Sequence, residues 1–366
     1  MSPDVTPALR MAGRGALAAG ALAVGALLGA VAERSLLRST SVPDAAYATE
    51  GFGTMHGDVH EIAADDGVVL HVEIDECQEA DGCAGLTIVF AHGYALNLDS
   101  WHFQRRALRG HARLVFYDQR SHGRSQRADF DSHHVDQLGR DMGTIIDTVA
   151  PEGPLMLVGH SMGGMTVMAL AAQRPELFAD RIYGVALIAT TAGGLSRGML
   201  GLPPGVGHVL HRIAPPMAAA VARQKTFVER SRWSDSDLGL LLTRLYSFGS
   251  TATDQAARFV AGMVASTPVE VVAEFLPALQ EHDKHDALGV FQQVEVLVLV
   301  GATDRLTPRD QSEEIVRLVP GAEFVVIPDS GHMVTLEKPD QVDAHLLTLL
   351  ARVRRDIAGE ASDGAA

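Results

Sequence analysis

The sequence predicts an α/β fold, a mostly parallel sheet with helices on both faces, and three observations lead to that prediction. Short apolar runs, typical of buried parallel strands, recur along the chain. Helical segments separate these runs, as expected for a parallel sheet covered by helices. From about residue 195 to 286 the alternation stops, over a stretch too long for an ordinary connection between strands. This stretch predicts a helical cap inserted between sheet strands.

The strand candidates begin with an antiparallel hairpin over residues 59–74, where alternating residues flank a turn at Asp65-Asp66-Gly67. Six apolar runs then predict parallel strands: LTIVFAHG from residue 86, ARLVFYDQR from 112, PLMLVGHS from 154, RIYGVALIAT from 181, VEVLVLVGATD from 294 and EFVVIPDSGH from 323.

Helical periodicity fills the gaps between these strands. The core helices are predicted at residues 136–150, 165–178, 309–319 and 339–355, and the cap helices at 202–224, 235–248, 253–266 and 268–283. The predicted organisation is a leader and linker over 1–57, a core of 58–194 and 287–353, a cap over 195–286 and a disordered tail over 354–366.

The N-terminus has the layout of a secretory signal. Arg10 and Arg14 precede residues 15–32, which carry no charge and end in Ala30-Val31-Ala32. The run is also long enough to span a bilayer as an uncleaved anchor. We therefore expect export or membrane association, with a poorly packed N-terminal helix and a cytoplasmic location as the alternative.

Composition narrows the class of partner. A net charge of −15 argues against a nucleic-acid surface. The excess of Arg over Lys and the single Asn are typical of a GC-rich bacterium. Cys77 and Cys83 lie in an acidic loop and fit either a disulfide or two free thiols. No further Cys or His pair has zinc-like spacing, so we expect neither a metal nor a cofactor.

The segment LMLVGHSMGG contains the strongest functional pattern. Gly159-His160-Ser161-Met162-Gly163 fits G-x-S-x-G and stands between a predicted strand and a predicted helix. In that context the turn is so tight that Gly159 and Gly163 must be small, and the serine projects from the carboxyl edge of the sheet. A phosphate-binding loop would need a Lys-Ser/Thr pair that is absent. Ser161 is therefore predicted to be a nucleophile.

A serine nucleophile needs a histidine base oriented by a carboxylate. Asp304 and His332 each follow a predicted parallel strand, so both are expected at the edge of the sheet that carries Ser161. Their order along the chain, Ser-Asp-His, is the one expected for this fold. Asp329 is the alternative acid, but its position three residues before His332 suggests a turn.

Two backbone N–H groups should bind the oxyanion that forms during attack. Met162 follows the nucleophile directly and supplies the first candidate. The loop after the strand that ends at His92-Gly93 supplies the second, the N–H of Tyr94.

These motifs resemble those of serine hydrolases of the α/β-hydrolase superfamily, in particular the capped esterase, lipase and cofactor-free haloperoxidase-like branch. The resemblance covers roughly residues 58–353 and rests on His92-Gly93, Asp118-Gln119-Arg120, the GHSMGG segment, GATDRLTP and PDSGHM. Members usually carry Gly where Ser121 stands.

The sequence thus predicts a serine hydrolase that cleaves a carboxylic ester with a hydrophobic acyl or lipid-like group through an acyl-enzyme intermediate. Perhydrolysis and C–C bond hydrolysis use the same triad and remain open. A ligand-binding protein without catalytic activity is the alternative hypothesis from a different functional class.

Overall fold

The computed structural model describes residues 51–77, 83, 85–195, 240, 243–244, 247–250 and 252–363. An eight-stranded sheet forms the centre, with strand order β1-β2-β4-β3-β5-β6-β7-β8. The strands are β1 Asp58–Ala63, β2 Val69–Asp75, β3 Thr87–Ala91, β4 Arg113–Tyr117, β5 Leu155–His160, β6 Ile182–Ile188, β7 Glu295–Gly301 and β8 Glu323–Ile327.

The pairing of the strands confirms the predicted hairpin and the mostly parallel sheet. β1 pairs antiparallel with β2, and β2 pairs antiparallel with β4. Every other neighbouring pair in the sheet is parallel. Because the parallel strands point the same way, β3, β5, β7 and β8 present their carboxyl ends at one edge.

Helices cover both faces of the sheet, and their bounds follow the predictions to within a few residues in most cases. They are α1 His102–Leu108, α2 Val135–Val149, α3 Met162–Gln173, α4 Pro175–Asp180, α5 Asp254–Ser266, α6 Val269–Glu281, α7 Arg309–Leu318, α8 Val334–Glu337 and α9 Pro339–Asp363, with 3-10 turns at Leu98–Trp101, Phe130–Ser132 and His285–Gln293. The helix predicted over 165–178 is two helices, because Pro175 cannot continue α3 and instead begins α4.

The core has one apolar layer on each face of the sheet. One layer contains Met142 of α2 and Leu170 of α3, and the other contains Leu108 of α1 and Leu346 of α9. The strand side chains between them are almost all inaccessible to solvent. Burial on both faces explains why these strands are continuously apolar instead of alternating.

The segment between β6 and β7 is helical where the structure describes it. α5 and α6 confirm the two helices predicted over 253–266 and 268–283. The predicted helix at 202–224 and most of that at 235–248 lie outside the described residues. Among the helices that can be examined, none is individually long and apolar enough to cross a membrane; α5 and α6, bent by 94°, meet that criterion only as a pair. The apolar run at 15–32 also lies outside the described residues.

The prediction of a disordered tail over 354–366 is wrong as far as Asp363. α9 continues to that residue. Ile357 packs against the core, the Tyr183 hydroxyl donates to Glu360, and Arg354 donates to the carbonyl of His111. These contacts stabilise a segment whose polar composition alone suggested disorder.

The end of the predicted linker is bound to the core. Phe52 stacks on Phe259 of α5, with ring centroids 5.2 Å apart, and meets Phe103 of α1 edge to face. The Arg105 guanidinium donates to the Met55 carbonyl at 2.9 Å. Cys77 and Cys83 are joined in a disulfide, so the structure favours the bridged alternative over two free thiols.

Candidate active site

Ser161 occupies a strained turn between β5 and α3. Its backbone angles are φ +55° and ψ −117°, a conformation that a residue with a side chain adopts only when its surroundings enforce it. Its N–H donates to the carbonyl of Ile188 at the end of β6. The N-terminus of α3, where N–H groups are unpaired, begins at the next residue.

The glycines around Ser161 are required by close backbone approaches. A Cβ at Gly159 would lie 2.5 Å from the Gly163 carbonyl oxygen, and one at Gly163 would lie 2.0 Å from the Ala91 carbonyl oxygen. A Cβ at Gly93 would lie 2.9 Å from Nδ1 of His160. The turn and the loop after β3 are thus packed backbone against backbone, which explains the small residues that the sequence pattern required.

Asp304 and His332 are brought together as predicted. His332 Nδ1 lies 2.9 Å from Asp304 Oδ2, and both side chains are buried. The other oxygen, Oδ1, accepts from the N–H groups of Leu306 at 2.8 Å and Thr307 at 3.0 Å. Burial acts to raise the pKa of Asp304, but His332 and the Thr307 donors outweigh it and hold the pKa below its usual value. Asp304 is therefore an ionised, fixed acceptor.

His332 lies against the residue that precedes Ser161. The rings of His160 and His332 have centroids 5.0 Å apart, and His160 Nε2 donates to the His332 carbonyl at 2.9 Å. Burial and the neighbouring His332 ring lower the pKa of His160 to about 3, so His160 is neutral. The Ser161 turn and the His332 loop are consequently joined through His160.

The predicted oxyanion donors lie on adjoining elements. Met162 is the first residue of α3, and Tyr94 is in the loop after β3, which contacts α3 at Gly163. Neither backbone N–H donates to another backbone carbonyl among the described residues. The geometry leaves both groups free to bind a developing negative charge.

His92 holds the loop that carries Tyr94. Its Nδ1 donates to the Gly93 carbonyl at 2.7 Å, and its Nε2 accepts from the Gln119 N–H at 2.9 Å. Burial lowers the pKa of His92 to about 3. The neutral imidazole, with one donor and one acceptor satisfied, therefore fixes the loop that carries Tyr94.

Two apolar clusters connect the cap helices to this edge of the sheet. Val271 and Phe275 of α6 pack with Met162 and Met165 of α3, and the Tyr94 ring joins them. α5 packs with Leu96 of the β3 loop and Met333 beside His332. The Tyr94 hydroxyl also donates to the Val272 carbonyl. The cap helices thus contact the serine turn, the β3 loop and the histidine loop.

Ser121, which departs from the family pattern, has a specific set of partners. It has φ +64°, accepts from the Ala128 N–H at 2.9 Å and lies 2.8 Å from His133 Nε2. His133 Nδ1 in turn lies 2.9 Å from the Glu274 carboxylate of α6. The Ser121 hydroxyl thus joins the Ala128 backbone to the His133 ring, contacts that glycine could not form.

Asp329, Thr307 and Glu337 also lie near the predicted triad. Asp329, the alternative acid, has φ +51° and belongs to the turn before His332. Thr307 and Glu337, which contact Asp304 and the histidine loop respectively, were not identified from the sequence. Thr307 is visible in GATDRLTP only as a turn residue, and nothing in the sequence marks Glu337.

Within the described ranges, no group of three or more His, Cys, Asp or Glu residues could hold a metal ion.

The comparison with known proteins defines the class. The family model for the α/β-hydrolase fold matches residues 87–339, and the chain belongs to this family. The match includes the Ser161 turn, Asp304 and His332.

Individual relatives are more distant. Over 274 residues the chain is 26% identical to the dihydrolipoyllysine-residue acetyltransferase component of the acetoin cleaving system of Pseudomonas putida, covering 75% of this chain and 66% of that protein. It is 28% identical to the pimeloyl-[acyl-carrier protein] methyl ester esterase of Pectobacterium carotovorum, covering 72% of this chain and 93% of the relative. The structure of a thermophilic esterase from Thermogutta terrifontis superposes with a TM-score of 0.63 at 23% identity, covering 81% and 99% of the two chains. The family match and the esterase relative support hydrolase activity, and the structural neighbour shows the same fold.

Proposed function

We propose that the protein is a serine hydrolase that cleaves carboxylic esters through Ser161, His332 and Asp304. The observation that carries the proposal is the buried 2.9 Å contact between His332 and Asp304, beside a serine held at φ +55° at the start of a helix. A binding protein has no use for a strained serine and an oriented histidine in one place.

In the proposed reaction, the Ser161 hydroxyl attacks the ester carbonyl carbon and its proton passes to Nε2 of His332. The Nδ1–H of the imidazolium donates to Asp304, which stabilises the positive charge. Collapse of the tetrahedral intermediate expels the alcohol, which takes the proton from His332. Water then attacks the acyl-enzyme by the same route and releases the acid and Ser161.

The oxyanion of both intermediates would lie between the N–H groups of Met162 and Tyr94. One donor of this kind contributes a factor of roughly 10² to 10³ in kcat. Because Met162 is the first residue of α3, the positive end of the helix acts at the same point.

The apolar clusters beneath α5 and α6 support a substrate with a hydrophobic acyl or lipid-like group. Cap residues such as Phe275 and Val271 pack in one apolar cluster with Met162. An acyl chain that extends from Ser161 towards the cap would therefore meet apolar side chains. The relative from Pectobacterium, an esterase by name, is consistent with ester chemistry. A series of nitrophenyl esters should show a preference for medium or long acyl chains, and strict preference for acetate would contradict this assignment.

Two other activities share parts of this site. Perhydrolysis and C–C bond hydrolysis use the same nucleophile and base, and a panel of substrates distinguishes them from ester hydrolysis. A ligand-binding protein would leave Ser161 unreactive, and no described feature favours it.

A fluorophosphonate probe tests the nucleophile. We expect it to label the wild-type protein and to leave Ser161→Ala unlabelled. Ser312→Ala is the matched control, because Ser312 is a buried serine of α7. Absence of labelling in the wild type, or equal labelling of Ser161→Ala, would show that the proposed nucleophile is wrong.

We also propose that residues 15–32 direct export or anchor the protein in a membrane. The apolar run and the basic residues before it support this proposal. Mass spectrometry of the native N-terminus distinguishes cleavage after residue 32 from a retained segment, and recovery of the uncleaved chain in the cytoplasm would contradict both.

A further inference from the structure

Glu337, at the end of α8, joins two segments of the chain near the site. Its Oε1 accepts from the Gly331 N–H at 2.8 Å, and its Oε2 accepts from the Gly249 N–H at 2.7 Å. Gly331 directly precedes His332. Gly249 belongs to the segment 247–250, which leads towards α5 of the cap. One carboxylate therefore bridges the histidine loop and the cap segment.

The two segments are in close backbone contact. A Cβ at Gly331 would lie 2.5 Å from the carbonyl carbon of Phe248, and one at Gly249 would lie 2.9 Å from the Gly331 nitrogen. On the other side of His332, the Met333 N–H donates to the Ser247 carbonyl at 2.8 Å. Gly331 and Met333, the residues on either side of His332, are thus held in place by segment 247–250 and the Glu337 carboxylate.

We propose that Glu337 is a positioning residue, whose ionised carboxylate holds the His332 loop against segment 247–250 and so sets the orientation of the imidazole. This inference rests on the proposed function, since the orientation matters only if His332 is the base. Glu337 acts through the backbone of the loop and does not touch the reacting atoms.

The electrostatic surroundings make this contact sensitive to pH. Burial raises the pKa of Glu337 to about 7, against the effect of the two N–H donors. The nearby carboxylate of Asp304 adds to the rise, and Lys338 opposes it. The elements over residues 98–108 that pack against α8 carry the ionisable residues Asp99, His102, Arg105 and Arg106. The first turns of the following helix carry Asp340 and Asp343, and segment 247–250 has no ionisable side chain.

Protonation weakens the bridge, because a carboxyl group accepts more weakly than a carboxylate and one oxygen then carries a hydrogen. Protonation of Glu337 should therefore lower kcat/KM of the wild type by about the factor that Glu337→Gln loses. As the pH falls through the pKa of Glu337, about 7, kcat/KM should fall more steeply in the wild type than in Glu337→Gln. At lower pH the two acid limbs should run parallel.

Glu337→Gln tests the assignment, because the amide keeps the shape but offers an NH2 group to one of the two N–H donors. We expect kcat to fall roughly tenfold to hundredfold, as small displacements of catalytic groups do. KM for a nitrophenyl ester should change by less than about threefold. The rate of fluorophosphonate labelling at Ser161 should fall in parallel with kcat. Glu323→Gln is the matched control, because Glu323 of β8 is a partly buried carboxylate that binds Arg352 and His345 of α9.

The outcomes separate the two proposals. A wild-type protein that the probe does not label contradicts the proposed function itself. A labelled wild type with unchanged kcat and an unchanged acid slope in Glu337→Gln overturns the positioning role, as does a fall in melting temperature with no effect on kcat. If Glu337→Gln does not fold, the wild-type profile decides, because an acid limb that fits a single protonation overturns the proposal.

Discussion

Asp304 illustrates how local backbone geometry prepares a side chain for one task. Both of its oxygens are occupied, Oδ1 by the N–H groups of Leu306 and Thr307 and Oδ2 by Thr307 Oγ1 and His332. These donors fix the carboxylate and favour its charged form. The imidazole of His332 is therefore held in the tautomer that carries its hydrogen on Nδ1 and leaves Nε2 free to accept a proton.

Asp304→Asn should abolish most of the activity while the fold remains intact. The amide matches the carboxylate in shape but cannot stabilise the imidazolium, so kcat should fall by about 10⁴. Steady-state kinetics with a nitrophenyl ester measure this, and circular dichroism checks the fold. Asp329→Asn is the control and should retain kcat within about twofold. A large loss in Asp329→Asn with little loss in Asp304→Asn would reverse the assignment of the acid.

Ser121 gives a second residue-scale prediction. Replacement by Ala or Gly removes the same hydroxyl and its contacts with Ala128 and His133, but only Gly relieves the left-handed backbone at φ +64°. Ser121→Gly should therefore exceed Ser121→Ala in free energy of unfolding by about 1 kcal/mol. Urea unfolding of the two variants measures the difference. Equal stabilities would mean that the backbone at this position is not strained.

The sequence predicts the positions of Ser161, Asp304 and His332 because each follows a strand that apolar runs make visible. The residues that support them could not be predicted in the same way. Glu337 binds the N–H groups of Gly331 and Gly249, which come from segments 82 residues apart along the chain. Such contacts depend on how loops meet in space, and side-chain patterns carry no signal for backbone partners.

At the scale of elements, the approach of α3 to the loop after β3 fixes the geometry of the site. Gly163→Ala would place a methyl group 2.0 Å from the Ala91 carbonyl oxygen, so α3 or the loop must move. We expect at least a hundredfold loss of kcat/KM, because the N–H groups of Met162 and Tyr94 are then displaced. Gly143→Ala in α2 is the matched control, because its methyl group would meet Leu170 at an ordinary 3.5 Å. That control should retain kcat/KM and gain up to about 1 kcal/mol of stability. Wild-type activity in Gly163→Ala would contradict the described contact.

The central strands β3, β5 and β7 form as predicted because their apolar runs are buried on both faces of the sheet. The edge strand β1 is mostly exposed, and it was predicted from the hairpin turn that follows it. The tail over 354–363 is helical through contacts with Tyr183 and His111, which a local pattern does not reveal. The docking of Phe52 on Phe259 escaped prediction for the same reason, since the partner lies in the cap.

At the scale of the whole molecule, several histidines are buried in their neutral form. Burial lowers the pKa of His92 and His160 to about 3, and that of His122, His133 and His282 to about 4. Such a group is protonated in the unfolded chain below its ordinary pKa of about 6.5 but not in the folded protein. Each therefore lowers the free energy of unfolding as the pH falls from 7 to 5. The raised pKa values of Asp118, Glu337 and Asp343 act in the opposite direction, but these groups are fewer.

His282→Gln isolates one of these contributions. His282 donates to the Thr191 carbonyl at 3.1 Å, and a glutamine amide can replace that donor without titrating. Between pH 7 and pH 5, the wild type should lose roughly 2 kcal/mol more stability than the variant. Urea unfolding at the two pH values measures this difference, and identical losses in both proteins would show that His282 is not buried in the neutral form.

The proposed hydrolysis depends on the transfer of an acyl group to Ser161. The most direct measurement is acid quenching during turnover of a medium-chain nitrophenyl ester, followed by peptide mass spectrometry. We predict an acyl adduct on the peptide that contains Ser161, absent in Ser161→Ala and accumulated in variants that deacylate slowly. An adduct on a different residue would contradict Ser161 as the nucleophile, as would hydrolysis without any adduct under conditions where acylation outpaces deacylation.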